Sequence, residues 1–297
     1  MVARKQLTAP TIADLLAKSA GFLKQKGSAT PRLDAELLLA EVLGTGRIEL
    51  YTNYDQPLNQ VEVDRYRELI RRRATGEPVA YILGRAYFRN LTLMVDSSVL
   101  IPRPETEHVV EAALNVLLER DWSGAPRVLD AGTGSGAIAI SIAAGFPEAD
   151  VTAADASREA LALAEKNARA AGAGRISFIL SDLFESLDPT GTFDLIVSNP
   201  PYISAEEWAQ LPPDVREFEP REALYGGADG LDFYRRIAVE AAQILRPRGV
   251  LVLETGYQQG PPVTGLLEAS GSFAAAVTLK DYSGFDRVVV AARADSP

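Results

Sequence analysis

The sequence predicts an α/β protein: an open, mostly parallel sheet with helices on both faces, closed by an antiparallel last strand and preceded by a small helical bundle. Three observations carry this. Residues 1–83 show helical periodicity and little else. From Glu105 onward, short apolar runs alternate with helix-length amphipathic segments, the pattern of a parallel sheet with crossover helices. The tail, "FAAAVTLKDYSGFDRVVVAAR", pairs two β-rich runs around Ser283-Gly284, an antiparallel hairpin at a sheet edge.

The elements follow in chain order. "TIADLLAKSAGFLKQKG" puts Ile12, Leu15, Leu16, Ala20 and Leu23 on one helical face. "PRLDAELLLAEVLG" opens on Pro31 and stops at Gly44, each suited to that helix end. "NQVEVDRYRELIRRRATGE" carries Arg71, Arg72 and Arg73 in its last turn, where cations complement the helix dipole. Three or four such helices make a bundle. Between roughly 78 and 102 the residues turn β-branched and aromatic, broken by Gly84 and Asn90, which predicts strand–turn–strand. The expected domains are therefore 1–83 (helical), 84–102 (hairpin linker) and 103–297 (α/β). Within the last, "RVLDAG", "DVTAADA", "ISFIL", "FDLIVS" and "VLVLE" are the parallel strands, with helices to about Ala144 and near 158–171 and 231–245.

Composition removes several classes of function. The chain has no cysteine and one histidine, His108, which excludes disulfides, thiolate metal sites and a histidine cluster for zinc. No apolar run is long enough for a membrane span, and the first residues lack a signal-peptide core, so the expected compartment is the cytoplasm. The net charge of −10 is uneven: residues 1–80 carry 12 basic and 10 acidic side chains, and the remainder 18 and 30. An acidic main domain is a poor match for duplex nucleic acid, whose binding needs cations against phosphates.

The strand "RVLDAG" runs directly into "TGSGAIAISIAA", placing Gly132, Thr133, Gly134, Ser135 and Gly136 where strand becomes helix. Such loops let a ligand approach backbone closely, and open parallel sheets bind ligands at the carboxyl ends of their strands. Asp155 ends the next strand, where a carboxylate can accept both hydroxyls of a ribose; Asp182 and Leu183 follow the third, where an adenine would lie. Asp130 precedes the loop and either belongs to this shell or braces it. The spacing is G-x-G-x-G, not the G-x-G-x-x-G that cradles a pyrophosphate. Carboxylates at successive strand ends suit a positively charged ligand without phosphates, which S-adenosylmethionine is. The pattern resembles the class I methyltransferase fold, a Rossmann-like seven-stranded sheet with an antiparallel last strand.

The fourth strand leaves the sheet as "IVSNPPYI", beside that loop. Pro200 and Pro201 have no N–H, so the turn offers carbonyl oxygens and the Asn199 side-chain oxygen with few competing donors. An array of acceptors grips an –NH₂ group by its two hydrogens, and Tyr202 offers a face for a planar group. The expected catalytic residues are Asn199, Pro200 and Tyr202, with Pro201 completing the substrate grip. Amino-group N-methylation is the chemistry this predicts. The turn alone does not choose between a carboxamide and the exocyclic amine of adenine in DNA or RNA.

The rest of the chain narrows the choice. "VLIPRPETE", "GRAYFRNLTLMVDSSVLIPRP", "LDAGTGSGAIAI", "VSNPPYI", "EPREALYGGADGLDFYRRI" and "DYSGFDRVVVA" together resemble the peptide chain release factor glutamine methyltransferase family over nearly the full length. The resemblance implies methyl transfer to the glutamine of the Gly-Gly-Gln loop of class I release factors. It also implies that Gly132 to Gly136, Asp155 and Asn199 contact S-adenosylmethionine and that Asn199 to Tyr202 hold the glutamine. Family members often carry a large ring where Leu183 stands; Phe184 is the neighbour expected to replace it. Arg103, Glu105 and Glu107 either close the pocket or start a helix, and Glu219 and Arg221 lie in a long loop, 204–230, expected to rim the substrate site. His108 reads as an ordinary helix residue. A monomer is expected. The rival readings are an adenine-N6 methyltransferase, a nicotinamide-dependent oxidoreductase and a non-enzymatic scaffold; neither of the last two has a use for the Asn-Pro-Pro-Tyr turn.

Overall fold

A computed structural model of the chain describes residues 9–189 and 192–294; the outermost residues of the expected domains, 1–8 and 295–297, lie outside the described residues. Two compact units are present: residues 1–84 together with 212–218, and residues 85–211 together with 219–297.

The first unit holds α1 (Ile12–Gln25), α2 (Pro31–Leu43), α3 (Arg47–Thr52), α4 (Gln60–Ala74) and α5 (Val79–Leu83). Capping boxes start α1 (Thr11 with Asp14) and α4 (Asn59 with Glu62), satisfying N–H groups that a helix leaves unpaired. Leu16, Leu23, Leu38, Leu39 and Tyr66 form its core. Asp34 and Arg73, both buried, pair at 2.7 Å, and Arg73 extends to Asp214 at 3.5 Å, fastening the 212–218 segment into this unit. One expectation fails here. Residues 79–83 are helix, not strand: Pro78 opens the turn, Gly84 closes it at φ +68°, and Tyr81 and Ile82 are buried. Flanking punctuation outweighs the β-branched composition.

The second unit begins with the antiparallel hairpin β1 (Arg85–Phe88) and β2 (Leu91–Met94). Then come α6 (Glu107–Leu118), β3 (Arg127–Ala131), α7 (Ala137–Gly145), β4 (Asp150–Asp155), α8 (Arg158–Ala170), β5 (Ser177–Leu180) and β6 (Phe193–Ser198). The long loop contains α9 (Ala205–Gln210) and α10 (Pro213–Phe218), the latter belonging to the first unit. The chain ends with α11 (Asp232–Ile244), β7 (Leu245–Glu254), α12 (Gly260–Ala269), β8 (Val277–Lys280) and β9 (Asp286–Ala292).

Seven strands form one sheet in the order β5-β4-β3-β6-β7-β9-β8, with β5 to β7 parallel and β9 antiparallel to its neighbours. Both faces are covered. Val109, Val110 and Ala113 of α6 and Ile138, Ile140 and Ile142 of α7 pack on one; Tyr234 and Ile237 of α11 and Val263 and Leu267 of α12 pack on the other. Every residue of β6 is buried, which accounts for its apolar Leu195–Val197, while its Asp194 pairs with Arg246 at 2.9 Å. Each such Leu, Ile or Val contributes roughly 1.5–3 kcal/mol by leaving water. From β3 the chain winds outward through β4 and β5, whereas β6 lies on the other side of β3 and leads to β7. This reversal opens a crevice at the carboxyl ends of β3 and β6.

Buried Asn167 of α8 holds the hairpin to that crevice. Its Oδ1 accepts the Met94 N–H at 2.7 Å, and its Nδ2 donates to the Met94 carbonyl at 3.0 Å and the Ser135 carbonyl at 2.8 Å. Asn167→Ala strands these three backbone groups. We expect it to lower the unfolding free energy by about 2–3 kcal/mol, measured by urea denaturation, whereas exposed Glu159→Ala changes it by less than about 0.5 kcal/mol.

Candidate active site

A cavity of about 800 Å³ opens at the carboxyl ends of β3, β4, β5 and β6, within the range of about 300–1,000 Å³ usual for small-ligand sites. Gly132, Thr133, Gly134, Ser135, Asp155, Asp182, Leu183, Asn199, Pro200 and Pro201 all line it. The sheet thus gathers four stretches of sequence that lie far apart.

Backbone geometry explains the glycine loop. The Gly132 and Thr133 N–H groups both donate to the Ala154 carbonyl, at 2.8 and 2.9 Å, bending the chain sharply off β3. Gly134 then donates to Asp155 Oδ2 at 2.8 Å, while Asp155 Oδ1 accepts from Ser157 N–H at 2.9 Å. The carboxylate is oriented by backbone and faces the cavity. Asp130 lies beneath: its Oδ2 accepts the Thr133 hydroxyl at 2.7 Å and the Ala139 N–H at 3.0 Å, so it braces the loop and does not line the pocket. Gly136 also stands behind the wall. It caps α7 at φ +84°, and a Cβ there would lie 3.2 Å from the Ala164 Cβ of α8, so the left-handed backbone and close packing together favour glycine.

The Asn-Pro-Pro-Tyr turn is held from several sides. The Ser198 hydroxyl donates to the Ala131 carbonyl at 2.6 Å, tying the end of β6 to the end of β3. Gln259 Nε2 donates to the Tyr202 carbonyl at 3.0 Å. Ile203 N–H donates to Leu224 O and Gly226 N–H to Ile203 O, a short parallel bridge that lays the "ALYGG" stretch against the turn. A Cβ on Gly226 would lie 2.6 Å from the Pro201 oxygen, and one on Gly230 2.3 Å from the Tyr202 oxygen. These glycines admit the backbone of the turn. Tyr202 departs from expectation: it does not line the cavity, and its half-buried ring packs against the core cluster to which α11 and β7 contribute. Its hydroxyl lies 3.5 Å from Glu254 Oε1. It supports the lip from behind instead of presenting a face to a planar substrate.

The flanks are polar. Arg103 lines the cavity and pairs with buried Glu219, whose other oxygen accepts the Ile101 N–H at 3.1 Å. The "IPRPE" and "EPRE" stretches therefore meet. Pro104–Thr106 form a single 3-10 turn leading into α6; exposed Glu105 lies outside the wall and Glu107 accepts the Arg89 N–H, so the helix-start reading describes these two. Asp182 pairs with Arg236 at 2.9 Å. Leu183, at φ +47°, lines the cavity, whereas Phe184 is buried in the core and does not. Arg221 stacks on Tyr225 and Trp208, 4.5 and 5.3 Å from their centroids. His108 packs edge-on against Tyr282 at 4.5 Å, away from the cavity. Sequence reasoning missed Thr106 and Glu254. Thr106 lines the cavity and accepts from Asn199 Nδ2 at 3.2 Å; Glu254 sits at the end of β7 with no exposed surface. A carboxylate at the end of a buried parallel strand was the available signal.

Burial pushes Asp130 up to about 7, with Asp155 adding to the shift against the pull of Thr133 and Ala139. Burial pushes Glu254 up to about 7 as well, and it raises Asp155 against the Ser157, Gly134 and Ala156 N–H groups. The unfolded chain releases the Asp130 proton near pH 3.8 and the folded chain near 7, so between them the folded state holds more protons. Its contribution to stability is complete below the lower value and is lost as pH rises through the upper. Asp130→Asn should flatten part of the decline in unfolding free energy between pH 4 and 7, leaving the shares that Glu254 and Asp155 supply. Denaturant midpoints measured across that range test this; an unchanged slope refutes it.

A family profile described as the PrmC N-terminal domain matches residues 14–84, and one described as a methyltransferase small domain matches residues 108–211. A release factor glutamine methyltransferase of Geobacter sulfurreducens is 46% identical over 279 residues, covering 94% of this chain and 95% of that one. Another of that name, from Rhodopirellula baltica, is 43% identical over 281 residues, covering 94% and 95%. Among solved structures, a methyltransferase from Pyrococcus furiosus shares the fold, with a TM-score of 0.50 at 19% identity over 69% of this chain and 89% of that one. With identity of this order along nearly their whole length, the chain belongs to the release factor glutamine methyltransferase family.

Proposed function

We propose that this chain methylates the side-chain amide nitrogen of the glutamine in the Gly-Gly-Gln loop of class I peptide chain release factors, with S-adenosylmethionine as donor. The observation that carries the reading is that the Asn199-Pro200-Pro201 lip and the Gly132–Ser135 loop line one cavity. When bound, S-adenosylmethionine supplies a methyl carbon that bonds to the amide nitrogen as its bond to sulfur breaks and the electron pair returns to sulfur. The cavity fits it: a backbone-oriented carboxylate, Asp155, for the ribose, apolar Leu183 for the adenine, and a glycine loop that admits close approach.

An amide nitrogen is a weak nucleophile because its lone pair is delocalised. Asn199 and the carbonyls beside two donor-free prolines hold its two hydrogens, aiming the nitrogen along the S–CH₃ axis. Positioning of this kind removes several kcal/mol of barrier, and the fixed dipoles favour charge growing on nitrogen. A base is not needed before attack, since the proton leaves once the nitrogen is cationic. Tyr202 acts from beneath, keeping the turn in place. In this reading residues 1–83 are the helical domain, 84–102 the hairpin linker and 103–297 the transferase module.

The acidic balance of residues 81–297 favours a protein substrate over nucleic acid. No helix among the described residues is long and apolar enough to cross a membrane. We take the working form to be a cytoplasmic monomer. Incubation with labelled donor and purified release factor, followed by peptide mass spectrometry, should place one added methyl on that glutamine; label on DNA or RNA instead would overturn the proposal. Asn199→Ala should lower turnover strongly while leaving donor affinity within about tenfold, or ~1.4 kcal/mol. Asp155→Ala should weaken donor binding first, as calorimetry with S-adenosylhomocysteine would report.

A further inference from the structure

Among the residues lining the cavity four are acidic, Asp155, Glu159, Asp182 and Glu222, and two are cationic, Arg103 and Arg158. That balance suits a sulfonium and an ammonium group, but a ligand carboxylate entering it needs a cation of its own. Arg158 opens α8 three residues after Asp155, at the ribose end. Arg103 stands on the lip side. Its carbonyl accepts the Thr106 N–H at 3.1 Å, and the Thr106 hydroxyl accepts Asn199 Nδ2 at 3.2 Å, so one short turn joins Arg103 to the lip. The Arg103 guanidinium donates from Nη2 to Glu219 Oε1, while Glu219 Oε2 accepts the Ile101 N–H at 3.1 Å. Glu219 is only 6% exposed, so its carboxylate is committed to this arginine and to the chain beside it.

We propose that Arg103 binds the terminal carboxylate of the donor's methionine arm, and that Glu219 is the positioning residue that aims the guanidinium at it. The proposal deepens the donor reading of this cavity and rests on it. A sulfonium has three arms. With the adenosyl arm at Asp155 and the methyl directed at Asn199, the third arm remains, ending in an ammonium and a carboxylate. Arg103 is the cation that lines the lip side. A guanidinium carries five N–H donors in a planar fork, so the bond to Glu219 leaves others for a second carboxylate. Such a bond is charge-assisted and stronger than a neutral one.

The other role open to Arg103, donating to the oxygen of the substrate amide, works against the reaction. A cation on that oxygen draws the nitrogen lone pair further into the carbonyl and weakens the nucleophile. On the donor carboxylate the same charge carries no such penalty, and it offsets the repulsion that an anion meets from the acidic side chains around it. The arrangement also joins donor and rim. Glu219 belongs to the loop that lays Pro220, Glu222 and Ala223 along the cavity, so the side chain orienting Arg103 is part of the expected substrate rim.

The test uses the full chain and calorimetry, with no release factor present. Two ligands are compared: S-adenosylhomocysteine and S-adenosyl-3-thiopropylamine, which lacks only the carboxylate. The wild type should bind the first about ten- to a hundredfold more tightly than the second, the scale of charge-assisted hydrogen bonds to one group. Arg103→Met should bring the first down to the level of the second and leave the second within about threefold, which also shows that the cavity is intact. Arg103→Lys, which keeps the charge without the fork, should fall between. Glu219→Gln should weaken S-adenosylhomocysteine several-fold while sparing S-adenosyl-3-thiopropylamine, and should add almost nothing beside Arg103→Met. Loss of both ligands alike, or of neither, in Arg103→Met overturns the proposal; should that variant not fold, the same comparison in Arg103→Lys decides. A wild type that binds neither ligand sinks the donor reading itself, a result distinct from failure of the variants with wild-type binding intact.

Discussion

The constraint on which the site depends is a turn that cannot hold itself. Two consecutive prolines remove the N–H groups that would normally lock a strand exit into a hydrogen-bonded turn. Their absence suits a surface of acceptors, yet it passes the work of fixing the backbone to other parts of the chain. The Ser198 hydroxyl anchors the turn before the prolines; Gln259, the Ile203 bridge and the close approach of Gly226 and Gly230 anchor it after them. The long "EPREALYGG" stretch then has a structural reason to lie beside a turn more than twenty residues earlier. Gly226 within it, and Gly230 just beyond it, are where another backbone must pass, and its Glu219 ties the loop to Arg103 on the linker side. Two motifs that look independent in sequence are the two halves of one clamp.

A second consequence concerns buried acids. Asp130 and Glu254 each have an oxygen without a hydrogen-bond partner among the described residues, and burial holds both above the usual carboxylate range. Burying a carboxyl group with an unsatisfied oxygen is costly. Each organises something next to the cavity. Asp130 fixes the glycine loop through Thr133 and Ala139, and Glu254 lies beside the Tyr202 hydroxyl of the turn. Local rules of core composition are broken where a ligand must be received, and the surrounding apolar sheet supplies the stability that tolerates it.

Much of this was legible in the sequence because its signals are local. Alternating apolar runs and amphipathic helices give the parallel sheet, and Ser283-Gly284 gives the closing hairpin. The cavity wall was legible because strand ends in a parallel sheet converge on one edge, so Asp155, Leu183 and Asn199 follow from their place after their strands. What escaped depends on direction and on long-range partners. Whether Tyr202 points into the cavity or under it is set by Glu254 and the α11 packing, which no spacing rule reveals. Gly136 looks like its neighbours in the loop, and only the proximity of Ala164 shows that it serves helix packing. The helix over residues 79–83 is hidden in the sequence because a five-residue turn is too short to show its period and its Val79 and Ile82 favour strand.

The inward turn of Tyr202 also bears on the choice of amine. Enzymes that modify a base commonly hold it between aromatic or flat apolar side chains, since stacking must replace what the base loses on leaving its neighbours. Here Phe233 is the one aromatic side chain among the cavity-lining residues, and the tyrosine of the turn is withdrawn beneath the lip. A lip of acceptors backed by prolines, with little ring surface opposite, is better matched to a small carboxamide on a peptide loop than to a purine. Tyr202, half-buried with its hydroxyl 3.5 Å from Glu254 Oε1, is not among the side chains that line the cavity.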